Sequence, residues 1–211
     1  MRSGNTSSPS FATCQRRKID VTFDGGNISS DGAGALLLRQ AEKQLSLVHD
    51  VARHLNDPRR KKSVKHSTFT MLMQRIAGIA LGYEDLNDHE TLRNDIALQT
   101  TTGRANQLAS PSTLGRMERR AERDWLWAVH GVLVDKFIDS FKKPPKELVL
   151  DFDATDDEVH GRQEGRFFHG YYDHYCFLPL YVFCGTQLLV AYLRPSNIDP
   201  AKHSAAILKL L

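Results

Sequence analysis

The sequence predicts an α+β protein, in which a helical N-terminal region is followed by three strands and one helix. Apolar residues recur at helical spacing through most of the chain up to Phe141. The paired prolines Pro144 and Pro145 cannot continue a helix, and beyond them short apolar runs rich in β-branched and aromatic residues replace the helical pattern. We therefore expect a flexible leader at 1–18, a mainly helical region at 19–143 and a strand-rich region at 146–211.

The composition is that of an ordinary soluble globular protein, since 41% of the 211 residues are hydrophobic and 25% are charged. A formal net charge of +3 permits nucleic-acid binding without requiring it. Three cysteines without a CxxC motif argue against a disulfide framework or a zinc ribbon. No apolar run approaches membrane-spanning length, so we expect a cytoplasmic protein with no membrane partner.

The helical region begins with a short strand predicted at 19–26, where apolar and polar residues alternate before a glycine pair. A helix is predicted over 29–57, with Ser30 or Asp31 as its N-cap and Pro58 after its end. Three further helices are predicted at 67–88, at 88–98 with Asp88 as the cap, and at 110–141. The segment 100–109 between the last two is expected to be a polar loop.

Strands are predicted at 146–155, 175–185 and 187–195, with a tight hairpin turn at Gly185-Thr186. A final helix is predicted from Asp199, its N-cap, with Pro200 at the first helical position.

The first of these strands carries two carboxylates at alternate positions, Asp151 and Asp153, which therefore point to the same face. Carboxylates are costly in a strand that packs into a core, whereas a site for a divalent metal ion requires them. The alternative is an exposed strand end that leads into a solvated acidic loop. The spacing alone leaves both interpretations open.

Basic residues are clustered at two places. Arg116, Arg119, Arg120 and Arg123 recur at helical spacing, which is typical of a face that binds phosphates but also of a solvated face. The second cluster extends from Arg59 to His66, and we interpret the run from Arg59 to Lys65 as a solvated linker rather than a DNA clamp.

From Leu148 onward the chain resembles the DDE transposases of bacterial insertion sequences. The similarity lies in LVLDFDATDDEVHGRQEG, in FFHGYY and in YCFLPLYVFCGTQLLVAYLRPSN, and upstream in GYEDLNDHETLRNDIAL and SPSTLGRMER. The resemblance implies a ribonuclease-H-like catalytic domain, of which residues 146–211 are the first part, and a DNA-binding role for the helical region 19–143. It also implies metal-dependent cleavage and transfer of DNA strands at the ends of the element.

In this family two Asp and one Glu hold two divalent ions, Mg²⁺ or Mn²⁺. The first acid lies in an Asp-x-Thr setting, which Asp153 with Thr155 matches best. Asp151 is the alternative metal ligand, or an orienting group if it is not a ligand. The second Asp and the Glu have no counterpart here, so we interpret the chain as an incomplete catalytic domain, from an N-terminal portion or a truncated copy, which does not cleave DNA by itself.

The resemblance further implies double-stranded DNA with terminal inverted repeats as the partner, a homodimer in the complex, and association with the nucleoid. The alternative function is a non-catalytic DNA-binding protein derived from a transposase.

The polar segment after the acidic strand, HGRQEG, is predicted to be a connecting loop rather than a zinc site, because its His and acidic residues lack a recognised ligand spacing. Arg162 in this segment and Arg166, which directly follows it, are candidate phosphate contacts. The aromatic residues that follow either stack on bases or pack under the loop.

Overall fold

The computed structural model describes residues 10–12, 18–20, 32 and 34–211. Most of the expected leader, the rest of the strand predicted at 19–26, and the caps Ser30 and Asp31 lie outside the described residues. Within the described part, β1 (Ser10–Ala12) pairs antiparallel with β2 (Lys18–Asp20).

The chain forms two compact units, divided between Leu126 and Trp127. This division falls earlier than the Pro144-Pro145 segment, because the second half of the helix that contains it supplies Phe137 to the core beneath the strands. The assignment of 19–143 and 146–211 to separate functional domains stays a prediction.

The first unit is built from short helices, with 3-10 turns at Lys61–Ser63 and Leu86–Asp88. The helices are α1 (Ala35–Leu45), α2 (Leu47–His54), α3 (Thr68–Ala80), α4 (His89–Leu92), α5 (Ile96–Thr101) and α6 (Pro111–Glu118). Helix α7 (Arg123–Asp139) spans the division between the units.

Three of the predicted helices are interrupted, and those predictions of continuous helices were wrong. The first breaks at Ser46, whose backbone is left-handed with φ 52°, a conformation that an α-helix does not contain. The third breaks before Asp95, whose carboxylate accepts the backbone N–H of Leu98 and so caps α5. Asp88, the predicted cap, makes no such bond. The long helix 110–141 breaks between α6 and α7.

The segment predicted as a polar loop at 100–109 is partly buried instead. Thr100 and Thr101 belong to α5, and their hydroxyls donate to backbone carbonyls one turn earlier, which makes these polar residues compatible with burial. Leu108 and Ala109 are buried in the core of the first unit.

A buried polar cluster lies within this core. The side-chain amide of Gln74 donates to the carbonyl of Ala109 (2.9 Å) and accepts from its N–H (3.0 Å), which fixes the amide orientation. Gln74 Nε2 also lies 3.3 Å from Nδ1 of the fully buried His89. The imidazole passes so close to Gly78 that a Cβ there would lie 2.8 Å from His89 Cε1. Glycine at position 78 therefore makes room for the ring.

The second unit contains two small antiparallel sheets, which confirms the predicted α+β class. The order of one sheet is β3-β7-β8 and that of the other is β4-β6-β5. Their strands are β3 (Leu150–Ala154), β4 (Asp157–Glu158), β5 (Phe167–His169), β6 (His174–Phe177), β7 (Leu180–Cys184) and β8 (Gln187–Tyr192).

The three-stranded sheet β3-β7-β8 corresponds to the three predicted strands, and the predicted turn at Gly185-Thr186 joins β7 to β8. The single strand predicted at 175–185 is two strands, because Leu178 and Pro179 interrupt the pairing and Pro179 has no backbone N–H. The last helix, α8 (Ser204–Leu208), begins later than predicted. Asp199 caps a turn instead, accepting the backbone N–H of Ala201 at 2.7 Å.

The core of the second unit lies on one face of β7 and β8. Phe137, Leu180, Val182, Leu189, Val190 and Ile207 form its buried part. Leu150, Phe152 and Ala154 of β3 pack against this core. None of the helices in the described part of the chain is long and apolar enough to cross a membrane.

Candidate functional site

The acidic strand β3 places both predicted carboxylates on its exposed face. Along β3 burial alternates, so that Asp151 and Asp153 are exposed while the residues between and beside them are half-buried. Asp153 lies opposite Tyr181 in the antiparallel register, and Asp151 lies opposite Phe183. Among the described strands β3 has only β7 as a neighbour, so its other edge carries no strand. The shared face predicted from the spacing is therefore confirmed, whereas the roles of the two carboxylates stay predictions.

Thr155, the predicted supporting residue, directly follows β3 and is half-buried. Its backbone N–H donates to the carbonyl of Pro179 at 3.3 Å. This bond fixes the chain direction between Asp153 and the acidic turn that follows.

A carboxylate–imidazole pair lies next to this strand in the sequence. Asp156 Oδ2 and His174 Nε2 are 2.8 Å apart, and each side chain is 28% exposed. The ring of Tyr172 stacks on His174 at 6.0 Å. Burial raises the pKa of the Tyr172 hydroxyl, and the nearby charge of Asp156 raises it further. Sequence reasoning missed this pair, because it treated β6 and β7 as one strand and so left β4 and β5 without a partner.

The second group of predicted site residues lies in the first unit, around a cleft of about 640 Å³. We call it the basic cleft. Its lining residues are Arg59, Ser63, Lys65, His66, Arg93, Ser110, Thr113, Arg116, Arg119 and Arg120. None of these residues is acidic, so the cleft concentrates positive charge on a concave surface.

The basic cleft brings together residues that are distant in the sequence. Arg116, Arg119 and Arg120, predicted as DNA contacts, lie on one side of it, at the end of α6. Arg123, predicted with them, is exposed at the start of α7 and does not line the cleft. Arg162 and Arg166 belong to the second unit, where the Arg166 guanidinium lies 4.2 Å from the ring centroid of Tyr175.

Arg59 and Lys65 of the segment predicted as a solvated linker, and His66 directly after it, line the cleft. Lys65 is exposed there, and the interpretation of the segment as a linker stays a prediction. Helix α3 follows the segment directly and anchors it, because Thr68 donates to the carboxylate of Asp57 at 3.2 Å. The intervening residues Arg60 to Lys62 are exposed. The run of basic residues was the sequence pattern that could have indicated this part of the cleft. No sequence pattern indicated that Arg93 belongs to it.

Asp57 organises one side of the cleft. Its carboxylate accepts two guanidinium N–H groups of Arg59, at 2.7 and 2.6 Å, and lies 3.9 Å from Arg120. The hydrogen bond from Arg59 is the main reason that the pKa of Asp57 falls to about 2. Arg59 is therefore held in place by a fixed negative charge, which also offsets part of the positive potential.

The surroundings of His66 in the cleft lower the pKa of its imidazole. Burial lowers its pKa, and the charges of Arg104 and Arg93, with other cations nearby, lower it further. Its Nδ1 is buried and has no hydrogen-bond partner among the described residues. His66 is therefore expected to be neutral at pH 7.

The lowered histidine pKa values predict that the first unit loses stability in mild acid. Burial also lowers the pKa of His89, and the charge of Arg75 adds to this. Gln74 Nε2 can only donate, so His89 accepts at Nδ1, and a proton there would remove this bond and bury a charge. Because the unfolded chain binds these protons more readily, the unfolding free energy should fall as the pH drops below 6.5, the ordinary histidine value.

Urea titrations over a series of pH values measure this dependence. His89→Gln should flatten it, since the variant has no group at position 89 to protonate. His54→Gln, at an exposed position of α2, serves as the matched control and should leave it unchanged. An identical pH dependence in wild type and His89→Gln would contradict the assignment.

A cation-lined cleft is a feature of proteins that bind a polyanion such as nucleic acid. The family model described as Transposase DDE domain group 1 matches residues 11–211, and the chain therefore belongs to this family. No match was found among curated proteins or among solved structures. The family confirms the resemblance to DDE transposases and supports a transposase function, in a family that generally binds DNA and uses a divalent metal.

A divalent metal ion fits the described residues only in part. Asp151 and Asp153 offer carboxylate oxygens, the ligands that Mg²⁺ prefers, on an exposed face that an ion can reach. No three His, Cys, Asp or Glu side chains converge into a metal-binding group within the described part of the chain. Within the described part of the chain, these residues therefore do not form a complete metal site.

Proposed function

We propose that this protein is a transposase that cleaves and transfers DNA strands at the terminal inverted repeats of an insertion sequence, with a divalent metal ion, Mg²⁺ or Mn²⁺. Asp153 is the first metal-binding acid, and Asp151 is the alternative. The observation that carries the proposal is the exposed acidic face of β3, in a chain that belongs to the DDE family. A metal ion at this face would supply Lewis-acid chemistry for phosphoryl transfer.

Three groups of residues in the chain support this function. The half-buried side chains of β3 anchor the strand to the core, so the exposed carboxylates are held on a rigid element. Thr155 fixes the start of the acidic turn through its backbone. The arginines Arg116, Arg119, Arg120, Arg123, Arg162 and Arg166 are the proposed phosphate contacts that hold the DNA.

The test is a strand-cleavage assay with the protein produced from the complete reading frame that encodes these 211 residues. The substrate is a labelled duplex that carries the terminal repeat of the element. Cleavage is expected with Mg²⁺ or Mn²⁺ and should disappear when EDTA removes the ion. Undiminished cleavage in EDTA would overturn the metal requirement.

A second candidate function is DNA binding without strand cleavage. It is favoured by the basic cleft, whose lining residues all belong to the first unit and include none of the β3 carboxylates. The same duplex separates the two functions. A protein that only binds DNA would retard the migration of the duplex in a native gel but would not cleave it in either Mg²⁺ or Mn²⁺.

A further inference from the structure

We propose that the basic cleft binds the sugar–phosphate backbone of duplex DNA, with Arg116 and Arg119 as its principal phosphate contacts. This inference rests on the proposed function, since it assigns part of the DNA recognition of a transposase to one cavity in the helical unit. It adds Arg59, Lys65, His66 and Arg93 to the residues near the DNA, whereas Arg123 lies outside the cleft.

The cations of the cleft differ in how firmly they are already paired. Arg59 is bound to Asp57, and Arg93 makes hydrogen bonds to Glu90 (3.3 Å) and Gln107 (2.7 Å). These interactions hold the side chains of Arg59 and Arg93 in place at the walls of the cleft. They also neutralise part of the positive charge of the two arginines. Both are therefore supporting residues rather than the main contacts.

Arg116 and Arg119 are exposed, and neither forms an ion pair with a described residue. Arg116 donates to the hydroxyl of Thr113 at 3.0 Å, which orients its guanidinium along the first turns of α6. Arg119 comes three residues later and therefore lies on the same side of the helix. Two unpaired guanidinium groups on one side of a concave surface suit the spaced phosphates of a nucleic-acid backbone.

The N-terminus of α6 adds to the same potential. Ser110 precedes the helix, Pro111 is its first residue, and Ser110 and Thr113 both line the cleft. The positive end of the helix dipole and two hydroxyl groups therefore border the cavity that the arginines also line.

Buried nitrogen atoms without partners provide an independent indication of a missing acceptor. His66 Nδ1, Arg93 Nε and Arg120 Nε have no hydrogen-bond partner among the described residues. All three side chains line the cleft. Buried polar groups are normally satisfied, and the two Arg Nε atoms can only donate, so they point to an acceptor that the described residues do not supply.

The size of the cavity favours DNA over a free anion. About 640 Å³ exceeds the space that a single phosphate group occupies and accommodates a short run of backbone. Its lining is polar and cationic, without exposed aromatic side chains for base stacking. The cleft is therefore suited to the sugar–phosphate backbone of a duplex rather than to unpaired bases.

The test compares two double variants of the 211-residue chain that remove the same charge. Arg116→Gln with Arg119→Gln changes the cleft, whereas Arg60→Gln with Lys62→Gln changes exposed residues outside it. Fluorescence anisotropy measures binding of a labelled duplex of roughly 30 base pairs between about 50 and 200 mM KCl. Each lost phosphate contact should lower the slope of log affinity against log salt by about 0.9 and weaken binding on the order of tenfold near 0.1 M salt.

The cleft variant is expected to lose about 1.8 in slope, and the control variant should keep the wild-type slope. Arg116→Lys with Arg119→Lys retains the charges and should keep most of the slope, which separates charge from misfolding. Equal losses in the cleft and control variants, or an unchanged slope in the cleft variant, would overturn the proposal. So would displacement of the duplex by inorganic phosphate at concentrations too low to change ionic strength.

Failure of this inference and failure of the proposed function give different results. If the cleft variant binds DNA like the wild type while metal-dependent cleavage persists in the complete protein, only the cleft assignment is wrong. If the wild-type chain does not bind duplex DNA at either salt concentration, the cleft assignment is wrong. If the cleft variant loses DNA binding as expected but the complete protein does not cleave the terminal repeat, only the proposed function is wrong.

Discussion

Replacing Asp153 by Asn is expected to abolish metal-dependent strand cleavage while leaving DNA binding and folding intact. The side chain is exposed on β3, so the nearly isosteric amide removes a negative charge without disturbing the core. An amide oxygen is a weaker ligand for a divalent ion than a carboxylate. We expect the cleavage rate to fall by about three orders of magnitude, which corresponds to roughly 4 kcal/mol of transition-state stabilisation.

Asp151→Asn is the matched control for this prediction, because Asp151 lies on the same strand and the same face, two residues earlier. If it orients the site without binding metal, its replacement should slow cleavage about 10- to 100-fold. Rates are measured on the terminal-repeat duplex with the complete protein, alongside anisotropy for binding and circular dichroism for folding. Retained cleavage in Asp153→Asn together with loss in Asp151→Asn would transfer the role to Asp151.

Arg194→Met is expected to produce the largest loss of folding stability. Arg194 is 1% exposed, and its guanidinium donates to the carbonyl oxygens of Leu178 (2.8 Å), Pro200 (3.1 Å) and Lys202 (2.6 Å). Burial lowers its pKa from the usual arginine value, which shows how strongly the site is desolvated. Replacing it by an apolar side chain of similar length leaves three carbonyl groups without their donors.

An unsatisfied buried acceptor costs about 1–3 kcal/mol, and the bonds to Pro200 and Lys202 are partly buried, so we expect a total loss of roughly 3–5 kcal/mol in the free energy of unfolding. Urea titration of the 211-residue chain measures it. Arg194→Lys should also be destabilising, since one ammonium group cannot reach all three carbonyls. The control is Arg162→Met at an exposed position of the same unit, which should change stability by less than about 0.5 kcal/mol. An Arg194→Met variant as stable as this control would contradict the assigned role.

The sequence predicted the change from helices to the strands of the β3-β7-β8 sheet and the face of the acidic strand, because both depend on local periodicity. Alternation at Asp151 and Asp153 requires only that β3 be a strand with one packed face. The interruptions of the three predicted helices could not be predicted from local periodicity. Ser46 lies in the middle of the helix predicted over 29–57, and nothing in its side chain requires a left-handed backbone, so the break depends on how the two flanking helices pack.

The basic cleft could be predicted only in part for a related reason. Arg116, Arg119 and Arg120 were found from their spacing on one helix, which is a local pattern. Arg93 contributes through tertiary packing that no period in the sequence encodes. Arg194 was missed because arginine is rarely fully buried, and its three carbonyl partners lie in loops whose geometry depends on the finished fold.

The contact between Gly78 and His89 makes these two positions interdependent during divergence of the family. A side chain at position 78 and an imidazole at position 89 require the same space, since even a methyl group at Gly78 would lie 2.8 Å from the ring. A relative that gains a larger residue at position 78 must therefore carry a smaller one at position 89, and Gln74 then loses its acceptor there. The three positions should change together across relatives, and substitutions that arise singly should be purged.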